Sequence, residues 1–244
     1  MNIKEEKSIE EKHIFQGLLD AYKNNPILDS EVLSNLHLFI RLQDLKRTLF
    51  FGELYKLILN VPGDIIEFGV RWGGDMVLLQ NLRGIYEPFN HSRKIIGFDT
   101  FSGFPSVSQI DNAQVGNYSV TNGYETFLEK LLSIHESFSP LSHIKKFQLL
   151  KGDVFKTLPP FLDENKNQCF SLIYFDLDLY EPTKFCLENI LSHITKGSVV
   201  VFDDFNGKSF RGESLAVKEV FKGFKGVNLK CHPLFQRASY LIVE

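Results

Sequence analysis

The sequence predicts an α/β fold: one domain on a mostly parallel sheet, ending in an antiparallel pair and preceded by a helical region. Strand, helix and strand patterns follow one another within about 40 residues up to Thr100, which requires a right-handed crossover between parallel strands. Acidic residues recur at the carboxyl ends of successive apolar runs, and in a parallel sheet those ends share one edge. The last two runs, Asn228–His232 and Ala238–Val243, have no room for a helix between them and must pair antiparallel.

From Ile9 to Asn60 apolar residues recur at helical spacing, as in Phe15, Leu18, Leu19 and Tyr22, then Leu38, Leu42, Leu45 and Leu49. Asn25-Pro26 divides this region into at least two helices, because the residue before proline avoids the α region. Residues 1–60 are expected to cap the site or form an oligomer contact, the alternative being packing against the sheet edge. Residues 61–244 form the main domain.

Pro62-Gly63 then punctuate a turn, and Ile65, Ile66, Phe68 and Val70 make a short strand. Gly69, Gly73 and Gly74 follow where a helical pattern (Val77, Leu78, Leu82, Ile85, Tyr86) begins. Such a loop lets a ligand approach the backbone and aims helix N–H groups above the strand. The alternative is a purely structural tight turn. Glu67 favours a cationic or hydroxyl-rich ligand over a pyrophosphate, and E-x-G-x-x-x-G-G is not the dinucleotide fingerprint G-x-G-x-x-G.

The strand Lys94–Thr100 ends in Asp99, where a doubly wound fold places an acid on ribose hydroxyls; a solvated turn residue is the alternative. Ser102–Asn122 is polar and irregular, and is expected to be a lid over an acceptor. Next come a helix from Tyr124 to His135, a strand Phe147–Leu150, the turn Lys151-Gly152-Asp153, and a short helix ending near Leu162. Phe170–Asp178 is a strand with two acids at its end. A helix opens at Pro182 and stops at Gly197. Ser198–Phe202 is a buried strand delivering Asp203 and Asp204, and Glu213–Phe224 is helical.

Two bare carboxylates about 4 Å apart repel by roughly 4 kcal/mol at an effective dielectric near 20. Asp203 and Asp204, with Asp176 nearby, are therefore expected to need a bound cation. Oxygen-only ligation favours Mg²⁺, with Mn²⁺ or Ca²⁺ as substitutes, over zinc. The alternative is one capping aspartate and one solvated one.

A chain of 244 residues with 43% hydrophobic content can bury a full core without disulfides or metals. Its formal charge of −3 excludes broad attraction to nucleic acid or anionic membranes. Cys169, Cys186 and Cys231 are odd in number and widely spaced, as buried free thiols of a reducing compartment would be. The N-terminus is charged and no apolar run approaches the roughly 18 residues of a membrane span, so a cytoplasmic protein is expected.

The segments DIIEFGVRWGGD, GFDTFSGFP, FDLDLYEPT and VVVFDDF, in this order and spacing, resemble the macrocin O-methyltransferase (TylF-like) family of S-adenosylmethionine-dependent sugar methyltransferases. The resemblance covers about Asp64 to Phe221. It implies a Rossmann-like class I methyltransferase fold with a seven-stranded sheet and a C-terminal antiparallel hairpin. It also implies that Glu67, Gly69 and Gly73 shape the methionine and ribose pocket, that Asp99, with Thr100 beside it, binds the ribose, and that Asp153 meets the adenine amino group. The family's metal acids map onto Asp176, Asp203 and Asp204, with Asp176 also counted to the cofactor pocket.

The implied reaction is methyl transfer to a hydroxyl of a sugar or sugar nucleotide, in bacterial surface glycan or secondary metabolite biosynthesis, using S-adenosylmethionine and Mg²⁺ or Mn²⁺. The cation would lower the hydroxyl pKa and a protein group would take the proton. The lysine that follows the first metal acid in catechol O-methyltransferase is replaced by Leu179, so the base stays open among Asp176, Asp178 and His232. A phosphate, phosphoramidate or carboxylate oxygen of a small metabolite or nucleotide is the alternative acceptor, and a non-catalytic metabolite-binding domain the alternative class.

Overall fold

The computed structural model describes residues 8–205, 207, 211–225 and 227–244. The chain divides into two compact units, 1–48 and 49–244.

The first unit contains α1 (Ile9–Lys23), α2 (Asp29–Val32), a 3-10 helix (Leu33–Phe39) and the start of α3 (Leu42–Leu57). Ser8 opens α1 with a capping box: its hydroxyl accepts from Glu11 N–H and Glu11 returns the bond to the Ser8 N–H. The break at Asn25-Pro26 falls between α1 and α2, as the proline requires. No residue of α1, α2 or the 3-10 helix is buried.

In the second unit the described residues form one seven-stranded sheet in the order β3-β2-β1-β4-β5-β7-β6. The strands are β1 (Asp64–Phe68), β2 (Ile95–Asp99), β3 (Phe147–Lys151), β4 (Phe170–Phe175), β5 (Ile194–Phe202), β6 (Lys230–His232) and β7 (Phe235–Ile242). The first five pair parallel, and β7 runs antiparallel to both β5 and β6. The chain returns from β3 to pair β4 with β1, so the order reverses between β1 and β4.

Between the strands lie α4 (Gly74–Tyr86), α5 (Tyr124–Ser137), α6 (Val154–Glu164), α7 (Tyr180–Ile190) and α8 (Gly212–Val220). The period of two sends alternate strand residues to opposite faces. Ile65, Leu172, Val199 and Val201 pack with Phe50, Phe51 and Leu54 of α3, Met76 and Leu79 of α4, and Leu128 and Leu132 of α5. Ile66, Ile173 and Val200 pack with Leu158 of α6, Leu187 and Ile190 of α7 and Val217 of α8. Both faces being covered, the strands read as nearly continuous apolar runs.

Three sequence expectations shift. The helix expected to reach Gly197 ends at Ile190, because β5 already begins at Ile194. Gly197 lies inside that strand at φ +91°, donating its N–H to Val243 O at 2.7 Å, and a Cβ there would meet Val61 at 2.9 Å. β4 stops at Phe175, leaving Asp176 and Asp178 in the turn beyond it. The cysteines are not uniformly buried: Cys186 is, Cys169 is half-buried, and Cys231 is exposed on β6, the outer strand of the sheet. Among the described residues, no helix is long and apolar enough to cross a membrane.

Candidate active site

Four parallel strands present a phenylalanine at their carboxyl end, and the four lie in register: Phe98 beside Phe68, Phe68 beside Phe175, and Phe175 beside Phe202. Their rings sit 5.2–5.3 Å apart in a row across the sheet. The next residues form the next rung. Gly69 N–H donates to Phe98 O (2.9 Å), Asp176 N–H to Phe68 O (2.8 Å) and Asp203 N–H to Phe175 O (3.0 Å). This rigid apolar floor sets the position of the polar groups above it.

On the β1 side, Asp99 is bound into the glycine loop. One carboxylate oxygen accepts from Val70 N–H (2.8 Å) and Arg71 N–H (2.7 Å), and the other from Phe101 N–H (2.5 Å). A carboxylate offers about four lone-pair sites, so one is left for a ligand hydroxyl. Glu67 is buried in β1. The loop's glycines answer to the protein's own packing more than to an open cradle. A Cβ at Gly69 (φ +94°) would lie 2.0 Å from Asp176 O, and one at Gly73 (φ +75°) 2.4 Å from Leu128, whereas Gly74 faces open space. Thr100 spends its hydroxyl on Gly103 O (2.7 Å). Asp153 caps α6, accepting from Phe155 N–H at 3.1 Å.

The expected lid is tied down. Phe104 N–H donates to Asn117 O (3.0 Å) and Gly116 N–H to Phe104 O (2.9 Å), closing the loop on itself. Asp111 accepts from Tyr180 N–H (2.9 Å), capping α7 from outside.

On the β4–β5 side the acids do converge. Asp203 accepts a short hydrogen bond from the Tyr174 hydroxyl. Asp204 receives Arg237 of β7 in a bidentate pair, Nε to one oxygen and Nη2 to the other at 2.5 Å, while Nη2 stands 3.5 Å from Asp203. Burial opposes the charge on Arg237, but Asp204, Asp203 and Asp176 outweigh it and hold its pKa above the ordinary value. Glu213, at the start of α8, is wholly buried and accepts from Asp204 N–H at 3.1 Å. Burial pushes its carboxyl well up, and Asp176, Asp203 and Asp204 add to that.

Asp178 is buried at φ +60°, and its Oδ1 has no hydrogen-bond partner among the described residues. Burial first, then Asp176, Asp204 and Glu213, drive its pKa well up. A non-glycine residue held left-handed with a buried oxygen lacking a described partner is an unusual combination that costs free energy. His232 stands apart, on β6 two strands out from β5, with its ring 5.3 Å from Phe50 and Nδ1 accepting from Leu234 N–H.

Arg237 supplies beside Asp203 and Asp204 a positive charge that the sequence expectation did not include. Sequence reading missed it because its partnership depends on β7 folding back against β5. Glu213 was missed for the same kind of reason, its only signal being an acid at a helix start. Asp204, Asp203 and Asp176 act on the Arg237 guanidinium, while burial and the neighbouring acids push the Asp178 and Glu213 carboxyls well up. The spacing is that of an arginine-bridged pair: among the described residues no three acidic, histidine or cysteine side chains stand close enough to hold a metal.

A family model described as macrocin O-methyltransferase (TylF) matches residues 41–234. The 8-demethyl-8-(2,3-dimethoxy-alpha-L-rhamnosyl)-tetracenomycin-C 4'-O-methyltransferase of Streptomyces olivaceus is 26% identical over 193 residues, covering 76% of this chain and 70% of that protein. The crystal structure of CalS11, a calicheamicin methyltransferase, superposes with a TM-score of 0.93 at 40% identity, covering 98% of this chain and 94% of that one. An apo structure of CalS11, described as a TDP-rhamnose 3'-O-methyltransferase of calicheamicin biosynthesis, gives 0.87 at 38% identity over 98% and 96%.

Proposed function

This chain belongs to the macrocin O-methyltransferase family and is an S-adenosylmethionine-dependent O-methyltransferase, and from that premise we propose that it methylates a hydroxyl of a sugar or sugar nucleotide in bacterial surface glycan or secondary metabolite biosynthesis. The observation that carries the acceptor class is the carboxyl cluster at the ends of β4 and β5: it offers hydrogen-bond acceptors to a polyhydroxyl ligand and repels an anionic oxygen. This disfavours a phosphate or carboxylate acceptor. The rhamnose chemistry of the two similar proteins supports the same reading.

In this reading Glu67, Gly69, Gly73, Asp99, Thr100, Asp153 and Asp176 line the cofactor pocket, Asp99 through its remaining lone pair. The bound cofactor supplies an electrophilic methyl group, and the protein's task is to hold the acceptor oxygen in line with it. Asp178 takes the proton, since it combines burial, a free oxygen and a fixed backbone beside the cluster. A divalent cation, Mg²⁺ or Mn²⁺, would be held by Asp176, Asp203 and Asp204 only if these acids drew closer together than they stand in this structure. Bound there, it would supply Lewis acidity toward the acceptor hydroxyl.

Three measurements test this. S-adenosylhomocysteine at about 100 times its dissociation constant should stabilise the protein by roughly 2.7 kcal/mol, and NAD should not. Labelled cofactor offered with nucleotide sugars, free glycans and phosphorylated metabolites should label sugars alone; transfer to no acceptor would point to a non-catalytic binding domain. A chelator should abolish transfer, with recovery on added Mg²⁺, while leaving the stabilisation by S-adenosylhomocysteine intact. Full turnover in chelator would show that Arg237 alone balances the acids.

The first unit is proposed to join copies of the chain. Ile9, Ile14, Leu28, Leu33, Leu38 and Leu42 are all exposed there, an apolar content that a helical segment without a core normally covers by association. Light scattering should give an oligomer that Leu33→Ser with Leu38→Ser shifts toward monomer; a wild-type monomer at micromolar concentration would refute it.

A further inference from the structure

Between β1 and α4 the glycine loop carries two large side chains that the chemistry above does not use. Arg71 is held at φ +50°, its N–H bound by Asp99, and its guanidinium lies 4.7 Å over the ring of Tyr118. Its Nε is buried, and no described residue offers it an acceptor. Tyr118, from the loop after β2, is also left-handed (φ +64°) and rests edge-on against Phe104. Burial first, then the charges of Asp178, Asp204 and Asp176, raise the pKa of its hydroxyl.

The next residue, Trp72, is 44% exposed. Tyr124 holds it in place, donating its hydroxyl to Trp72 O at 2.9 Å with the rings perpendicular at 4.7 Å. Phe127, 57% exposed, extends the same aromatic surface 5.5 Å from Tyr124. The loop between β1 and α4 thus carries a guanidinium with an unused buried donor over the Tyr118 ring and, at the next residue, an exposed aromatic face.

Each part has a chemical preference. Carboxylates take sugar hydroxyls, a guanidinium takes phosphate oxygens, and a braced exposed indole takes a flat ring. We propose that Arg71 and the Trp72–Tyr124 face form the nucleotide subsite for the acceptor, so that the sugar arrives as a nucleoside diphosphate sugar, with its diphosphate on Arg71 and its base on Trp72. This rests on the sugar-acceptor reading and narrows it. The left-handed backbone at Arg71 then has a purpose, because it turns the guanidinium across Tyr118 between the two ends of one ligand.

Trp72 is the only tryptophan in the sequence, so its fluorescence reports on this face alone. With S-adenosylhomocysteine saturating the cofactor pocket, thymidine diphosphate and uridine diphosphate should quench the full-length protein saturably, and thymidine at least tenfold more weakly. By calorimetry, Arg71→Gln and Trp72→Ala should each weaken the diphosphate at least tenfold and leave S-adenosylhomocysteine within about twofold. In turnover both should raise KM for a nucleotide sugar far more than they lower kcat. Equal weakening of S-adenosylhomocysteine by Arg71→Gln would put Arg71 on the cofactor's carboxylate and overturn the proposal. Quenching by an aryl glycoside but not by the diphosphates would overturn it too, assigning the aromatic face to an aglycone. Tight diphosphate binding with no methyl transfer to any sugar would uphold the subsite and refute the sugar-acceptor reading instead.

Discussion

Asp178→Asn is expected to slow methyl transfer by about 10²–10⁴-fold, the range for losing a positioned general base, while leaving the protein at least as stable as wild type. Asparagine is among the few residues that tolerate the left-handed region, so the backbone at φ +60° need not move. The carboxamide also removes a buried acid from the neighbourhood of Asp176, Asp204 and Glu213, whose charges already work against it. Activity and stability should therefore move in different directions, as they do when a strained position is kept for function. Single-turnover rates and thermal melts on the same preparation would show it. A rate within threefold of wild type would move the proton to Asp176.

A comparable loss, in stability and not in chemistry, is expected from Glu136→Ala. Glu136 of α5 sits in the core between α4 and the segment before β3. It accepts from Arg83 (2.5 Å), Lys146 (2.8 Å) and Gln80 (3.1 Å). All four side chains are buried. Removing the acid strands two buried cations, and breaking a buried pair in this way costs about 3–5 kcal/mol. At about 2–4 °C per kcal/mol for a chain of this size, the melting temperature should fall by roughly 6–20 °C. A drop of less than 2 °C would mean that water reaches the two cations.

The pH dependence of that loss has a definite sign. Burial pushes the Glu136 carboxyl up, but Lys146, Arg83 and Gln80 together hold it below its ordinary value of 4.5. A depressed folded pKa means that the unfolded chain binds more protons in this window. The stabilisation is thus complete above about pH 4.5 and lost as pH falls through the folded value. The gap between wild type and Glu136→Ala should be wide at pH 7 and close under acid.

The sequence by itself determined the sheet edge on which these acids fall. Short continuous apolar runs identify strands, crossovers of this length must be right-handed and parallel, and parallelism brings Glu67, Asp99, Asp176 and Asp203 to one edge however the helices pack. The row of Phe68, Phe98, Phe175 and Phe202 follows from the same logic, each standing one residue before a glycine or an acid in its strand.

What the tertiary structure alone decided is how those charges are balanced. Arg237 reaches Asp204 because β7 folds antiparallel onto β5 with Ser239 opposite Phe202, a register no local pattern specifies. Glu213 joins the acids through the start of α8, and Gln80, Arg83, Glu136 and Lys146 meet only where α4 and α5 pack together. His232, equal to the aspartates as a base on sequence grounds, was carried by its strand to the ring of Phe50. Local periodicity sets which way a side chain faces within its own element. Its partner across elements depends on register and packing, which only the folded chain supplies.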